Sequence, residues 1–215
     1  MNKTVDVIFP VAGSTLPWDH SYALFGALSR VQPLIHEDQF EVGIFPINGK
    51  NSKKNRELEL TDRSSLRMRV PSVLIPDLMC FLGTTLELDG HRIRLGNPKI
   101  EPLQFTPRLF SPWVTLKDAT DHGTFLQRVA EEMHRLDVHG AFSLVAPKND
   151  FAKDGGQGLH QPFIRRTRSI KGNAIIGFAL LIEELAVEAA HRLMTSGLGG
   201  RRHFGGGLFL PAKGR

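Results

Sequence analysis

A single cysteine, Cys80, stands among 215 residues, which excludes an internal disulfide framework and any cysteine-built zinc site. It fits a reducing compartment. Nowhere do about 20 apolar residues run together, the length a membrane-spanning helix needs. The longest candidate, Ala174 to Ile182, ends against Glu183 and Glu184. No basic stretch at the N-terminus leads into an apolar one, so neither a secretory leader nor membrane attachment is expected, and the expected location is cytoplasmic. Metal-ligand spacing is missing too. His134 and His139 are five apart, His20 and His36 sixteen apart, and neither spacing belongs to a metal motif. No metal and no cofactor is expected.

What is present has the balance of a globular protein, 41% hydrophobic and 23% charged. The length suits one large domain or two of about 100 residues. The net charge of +5 is unevenly placed. From His160 to Arg215 nine Lys and Arg stand against three Asp and Glu, a local excess of +6, which leaves −1 for the rest. Concentrated positive charge suits a polyanion, because neutralised phosphates release condensed counterions. A basic surface that only aids solubility would have the same composition.

Hydrophobic periodicity predicts the order strand, helix, two strands, helix, strand in the first half. The elements are a strand over Val5 to Val11, a helix after Asp19 as N-cap, and strands over Phe40 to Ile47 and Arg56 to Val70, the latter broken near Asp62. A helix over Val73 to Leu82 and a strand over His91 to Leu103 follow. The second half repeats the order. It has a strand over Phe110 to Leu116, an amphipathic helix over Gly123 to Leu136 with Phe125, Leu126, Val129 and Met133 on one face, and a strand over Ala141 to Ala146. After a glycine-rich polar stretch to Gly158, read as a loop, come one long strand or two over Pro162 to Leu181, a helix over Ala186 to Met194 and a strand over Gly207 to Pro211. Two successive βαββαβ units make an α+β protein of tandem ferredoxin-like domains, divided as residues 1–105 and 106–215.

The sharpest local feature is the run Gly197-Leu198-Gly199-Gly200-Arg201-Arg202-His203-Phe204-Gly205-Gly206-Gly207-Leu208-Phe209. Glycine permits positive φ and lets backbone N–H groups approach an anion closely. Arg201, Arg202 and His203 add charge. The run lies between a helix and a strand and lacks the P-loop lysine, so it is not a dinucleotide or P-loop motif. A flexible turn is the plain alternative. On the basic strand, alternation puts Arg166 and Arg168 on one face and Arg165 on the other. Together with Lys171 these arginines suit phosphate contacts and bases of a splayed strand.

Gly197, Gly199, Gly205 and Gly207, followed by Leu208 and Phe209, resemble the C-terminal G-loop of the CRISPR-associated RAMP superfamily, with Gly206 where a hydrophobic residue is usual. The segment Leu16-Pro17-Trp18-Asp19-His20-Ser21-Tyr22-Ala23-Leu24-Phe25 is similar to the first-helix entry of the repeat-RNA endoribonuclease family, often called Cas six. Leu34-Ile35-His36-Glu37 resembles that family's segment with its catalytic histidine. The resemblance implies two ferredoxin-like domains and a metal-independent endoribonuclease. It would bind CRISPR repeat RNA and cut it by 2′-hydroxyl attack, leaving a 2′,3′-cyclic phosphate and a 5′-hydroxyl. Mature guide RNA and other subunits of an effector complex are implied partners.

Carried onto this sequence, the resemblance implies His36 as general base or acid, a role that suits imidazole near neutral pH. His20, in the first turn of the helix, is a second candidate, either at a phosphate or as a local structural group. Tyr22 is the only tyrosine, and Ser29 takes the position of the family's helical tyrosine, which leaves a serine to position a hydroxyl. Lys50, Lys53 and Lys54 are further candidates to stabilise phosphate. Two other functions remain open on the residues alone: a non-cleaving RAMP scaffold subunit, and a ferredoxin-like protein that binds a small molecule.

Overall fold

The first strand, β1 (Thr4–Ala12), buries Val5, Val7, Phe9 and Val11, every second residue, as a strand with one face on a core must. It lies inside the larger sheet of the computed structural model, which describes residues 3–37, 40–52, 56–147 and 163–212. These form two units. The first runs to Leu103 and includes Ser169–Lys171 and Arg202–Gly205; the second holds Gln104–Arg168, Gly172–Arg201 and the residues from Gly206 on.

In the first unit β1 is followed by β2 (Thr15–Pro17), α1 (Ser21–Val31), β3 (Gly43–Ile44), β4 (Lys50–Asn51), β5 (Glu57–Glu59) and β6 (Ser65–Pro71). Then come the one-turn α2 (Ile75–Leu78), β7 (Thr85–Leu88), β8 (His91–Leu95) and β9 (Lys99–Pro102). The main sheet is ordered β3-β6-β1-β8-β7, with β9 also paired to β1, and β2, β5 and β4 make a small second sheet. Leu24, Phe25, Ala27 and Leu28 on one side of α1 close the core over β1 and β6.

The second unit holds β10 (Leu109–Val114), α3 (His122–Arg135), β11 (Ala141–Leu144), β12 (Arg165–Ile170) as far as Arg168, β13 (Asn173–Glu183), α4 (Val187–Ser196) and β14 (Leu210–Pro211). Its sheet runs β11-β13-β10-β14, with β12 on β13. α3 starts where the Asp121 carboxylate accepts the Thr124 N–H at 3.0 Å, and it buries Phe125, Val129 and Met133 at helical spacing. Within each unit the strand order is the same: β3-β6-β1-β9 in one, β11-β13-β10-β14 in the other. The protein is α+β, with tandem ferredoxin-like folds, as the periodicity predicts.

Several elements differ from expectation for local reasons. His20, not Asp19, is the N-cap of α1. The helix expected over Val73 to Leu82 is α2 flanked by 3₁₀ turns at Ser72–Leu74 and Met79–Phe81, with Pro76 inside its first turn. The strand expected over Phe40 to Ile47 shrinks to Gly43–Ile44, with Pro46 just beyond. Arg56 to Val70 divides into β5 and β6, which belong to different sheets. Pro162 to Leu181 is two strands, β12 and β13, joined at Lys171 and Gly172, whose φ values of 51° and 76° suit a two-residue hairpin turn. The loop expected up to Gly158 lies outside the described residues.

One ion pair sits inside the first sheet. Asp6 on β1 is directly opposite Arg69 on β6. Its carboxylate accepts Arg69 Nε at 2.8 Å and Nη2 at 3.0 Å, and Arg67 Nη1 at 2.7 Å. Arg69 is fully buried and lies 5.2 Å from the centre of the Phe45 ring. Removing one partner strands a charge in the interior. Asp6→Ala is therefore expected to cost about 3–5 kcal/mol in urea unfolding, whereas Asp6→Leu combined with Arg69→Met recovers most of that loss.

Candidate functional site

A 3₁₀ turn, Pro33–His36, ends the connection out of α1 and carries His36. Gln32 holds it from both ends: its Oε1 accepts the Leu34 N–H at 3.3 Å, and its Nε2 donates to the Asp77 carbonyl at 3.0 Å. Ile35 anchors the turn in the core while His36 stays exposed. The His36 ring centre lies 5.3 Å from that of Phe25. The same phenylalanine stacks on His203 at 4.9 Å and an interplanar angle of 12°, and meets Phe204 edge-on at 5.1 Å. Tyr22 lies 6.0 Å from Phe204 and is 42% exposed. All of these residues belong to the first unit.

Beside His203, Arg202 donates from Nη2 to the Glu41 carbonyl at 3.1 Å. Burial pushes its guanidinium down to about 10; the Glu41 carboxylate opposes the shift and the positive charge of Arg69 adds to it. Two imidazoles are thus collected around one aromatic ring, and a partly desolvated cation adjoins one of them in sequence. Such a group can move protons and stabilise charge on a phosphate.

The other two expected reactive groups are elsewhere. His20 is 1% exposed. Its Nδ1 bonds the Pro17 carbonyl at 2.8 Å and its Nε2 accepts the Ile47 N–H at 2.9 Å, which makes Nδ1 the protonated nitrogen. Both ring nitrogens are used in holding Pro17 and Ile47 together, so the phosphate role considered for His20 is corrected to a structural one. The Ser29 hydroxyl is enclosed and has no hydrogen-bond partner among the described residues. A group that must reach RNA cannot be enclosed, so Ser29 is set aside as well. Asp19, expected to cap α1, instead accepts the Ser169 N–H at 2.6 Å.

Within the glycine run six backbone N–H groups are used inside the protein. The N–H groups of Gly197, Leu198, Gly200, Gly205, Gly206 and Gly207 donate to the carbonyls of Leu193, Gly207, Thr115, Arg202, Arg201 and Trp113. The glycines serve shape. Gly197, Gly199, Gly205 and Gly207 have φ between 62° and 81°. A Cβ on Gly206 would strike the Gly200 carbonyl oxygen, which explains why this chain has no larger residue there. Charge comes from side chains, exposed at Arg201 and half-buried at Arg202 and His203.

On β12 the alternation is as expected. Arg166 and Arg168 share a face: Arg166, which is exposed, donates from Nη1 to the Pro112 carbonyl, and the half-buried Arg168 lies 4.3 Å over the Trp113 ring. Burial lowers the Arg166 guanidinium below its ordinary range. Arg165 and Lys171 are exposed, as is Lys50 of the first unit. Lys53 and Lys54 lie outside the described residues. Among the described residues no three His, Cys, Asp or Glu side chains gather as a metal site would require, and no helix is long and apolar enough to cross a membrane.

The family model described as Cas6 Crispr matches residues 5–214. A CRISPR-associated endonuclease Cas6 from Myxococcus xanthus (strain DK1622) is 35% identical over 207 residues, 96% of this chain and 81% of its own length. Among solved structures, a RAMP protein binding different RNA substrates superposes with a TM-score of 0.69 at 10% identity, over 97% of this chain and all of the other. The product of a Cas6-related gene from Pyrococcus furiosus does so at 0.66 and 11% identity, over 99% of this chain and all of the other.

Two outcomes are expected of this geometry. Gly207→Ala puts a side chain at φ 62° against the Leu198 carbonyl and lowers stability by about 1–3 kcal/mol, whereas Gly200→Ala enters open space and stays within about 0.5 kcal/mol. Arg202→Met removes a cation that is disfavoured by burial below about pH 10, where it is charged both folded and unfolded. The variant is expected to melt higher at neutral pH, and the difference should shrink as the pH rises through 10.

Proposed function

Because the chain belongs to the Cas6 family of CRISPR-associated proteins, we propose that it binds CRISPR repeat RNA and cuts it to mature guide RNA. The 2′-hydroxyl beside the scissile phosphate attacks in line, leaving a 2′,3′-cyclic phosphate and a 5′-hydroxyl. The observation that carries this reading is His36, an exposed imidazole on a pinned turn, in one cluster with His203 and Arg202. A positioned imidazole contributes about 10²–10⁴-fold through proton transfer. Positioning and charge stabilisation at the phosphate supply the rest. The family name of the Myxococcus relative, an endonuclease, points the same way.

The reaction so written needs proton transfer and alignment, with no step assigned to a metal. Arg202 supplies positive charge next to the imidazoles, and Arg201, Arg165 and Lys171 offer exposed cations for the phosphate backbone. Guide RNA stays bound to the protein after the cut, inside an effector complex in the cytoplasm. Family membership sets aside a small-molecule-binding function. The competing reading is a RAMP subunit that holds RNA without cutting it. What favours that reading is the enclosure of His20 and Ser29, which leaves His36 alone of the three residues expected to react.

Purified protein incubated with its repeat RNA in excess EDTA is expected to give one cut, with a cyclic phosphate at the new 3′ end. His36→Ala should slow cutting by about 10²–10⁴-fold with little change in RNA affinity. Tight binding without cutting by the unaltered protein would establish the scaffold reading instead. In the same assay Arg202→Met should weaken RNA binding and lower the slope of log affinity against log salt by about one.

A further inference from the structure

We propose that His203 is the second proton-transfer group of the cleavage reaction, paired with His36 against the shared ring of Phe25; this rests on the nuclease reading above. Cleavage by 2′-hydroxyl attack moves two protons. The 2′ oxygen loses one as its electron pair forms the new bond to phosphorus. The 5′ oxygen gains one as it leaves with the electron pair of the broken P–O bond. No electron is gained or lost overall, and solvent exchange resets the two groups. A single histidine can serve one of these oxygens at a time; two serve both at once.

Each partner in such a pair must come within about 3 Å of its own oxygen on one phosphate. The two rings must therefore be held close together, each with fixed orientation. Phe25 contacts both rings and so brings them to one place in the first unit. Its ring centre is 5.3 Å from that of His36 and 4.9 Å from that of His203, and the 12° stack sets the plane of the His203 imidazole. Phe25 itself is buried in α1 and pressed edge-on by Phe204, so it is a firm support. His203 retains partial exposure and follows Arg202, whose charge would stand next to the phosphate while bonds change. By contrast, a histidine that only lined an RNA path would not need a fixed plane beside a second imidazole.

The test uses His203→Phe, which keeps an aromatic ring on Phe25 and removes the exchangeable proton, with His203→Gln as a second variant. Circular dichroism and RNA affinity check that each is folded. Both should cut an ordinary repeat about 10²-fold slower or worse, with affinity within about threefold of the unaltered protein. The deciding substrate carries sulfur in place of the bridging 5′ oxygen, because a thiolate leaves without a proton. Of His36→Ala and His203→Phe, one and only one should return to within about tenfold of the unaltered protein on that substrate. The rescued position is the one that protonates the leaving group, and the other accepts the 2′ proton. The proposal is overturned if both His203 variants cut normally, or if the sulfur substrate rescues neither position or both alike. If the unaltered protein fails to cut the ordinary repeat, the nuclease reading itself falls, and the pair with it.

Discussion

The hydrogen bond from Gly207 N–H to the Trp113 carbonyl, 2.9 Å, fixes the end of the glycine run to β10. The Gly207 carbonyl in turn accepts the Leu198 N–H at 3.1 Å. Inside that closure Gly206 N–H reaches the Arg201 carbonyl, and Gly205 N–H the Arg202 carbonyl. The loop is thus a set of nested pairs, 198 with 207, 201 with 206 and 202 with 205. At Gly206 and Gly207 backbone meets backbone more closely than a side chain allows, and Gly205 takes a positive φ, which is why glycine recurs here. At the tip stand Arg202 and His203, the residues this loop supplies to the candidate cluster. Loops commonly carry function on a rigid frame; in this one the backbone is tied down and the side chains are left for other work.

Buried charge in the first unit follows a related logic. The Asp6 carboxylate is shared by Arg67 and Arg69, a buried arrangement whose Coulombic gain is largely offset by desolvation. Arg69 then stands as a positive neighbour to Arg202 and lowers its guanidinium further. The same two strands that build the sheet therefore set the field around the imidazole cluster. Packing and electrostatics are coupled through the register that faces Asp6 with Arg69.

Much of this architecture was legible because periodicity reports burial. The 3.6-residue spacing of Phe125, Val129 and Met133 gave α3, and the alternation of Val5, Val7, Phe9 and Val11 gave β1. Strand β7 lies between the helix and the strand that periodicity predicts, in a stretch where it predicts neither. Yet Asp89-Gly90, both at positive φ, sits between two alternating segments, which is the strongest short-range hairpin signal there is. Long separation hid the site. Phe25 and His203 are stacked although a whole second unit intervenes in sequence, and nothing local to either residue announces the other. For His20 and the glycines the residue types suggested anion contacts. Both His20 nitrogens and the N–H groups of Gly197, Gly200, Gly205, Gly206 and Gly207 are used inside the protein, and only a count of partners reveals that.

Arg202 is where local rules and global placement disagree. A guanidinium is normally kept in water or paired with a carboxylate, because burial without full compensation costs free energy. Here it is half-buried, it donates to a backbone carbonyl, and of the two charges that shift it the Glu41 carboxylate favours its charged form while Arg69 opposes it. Selection for stability alone would replace such a residue with an apolar one of similar length. An anion beside Arg202 would meet a cation already desolvated and already oriented, so little reorganisation would oppose the encounter.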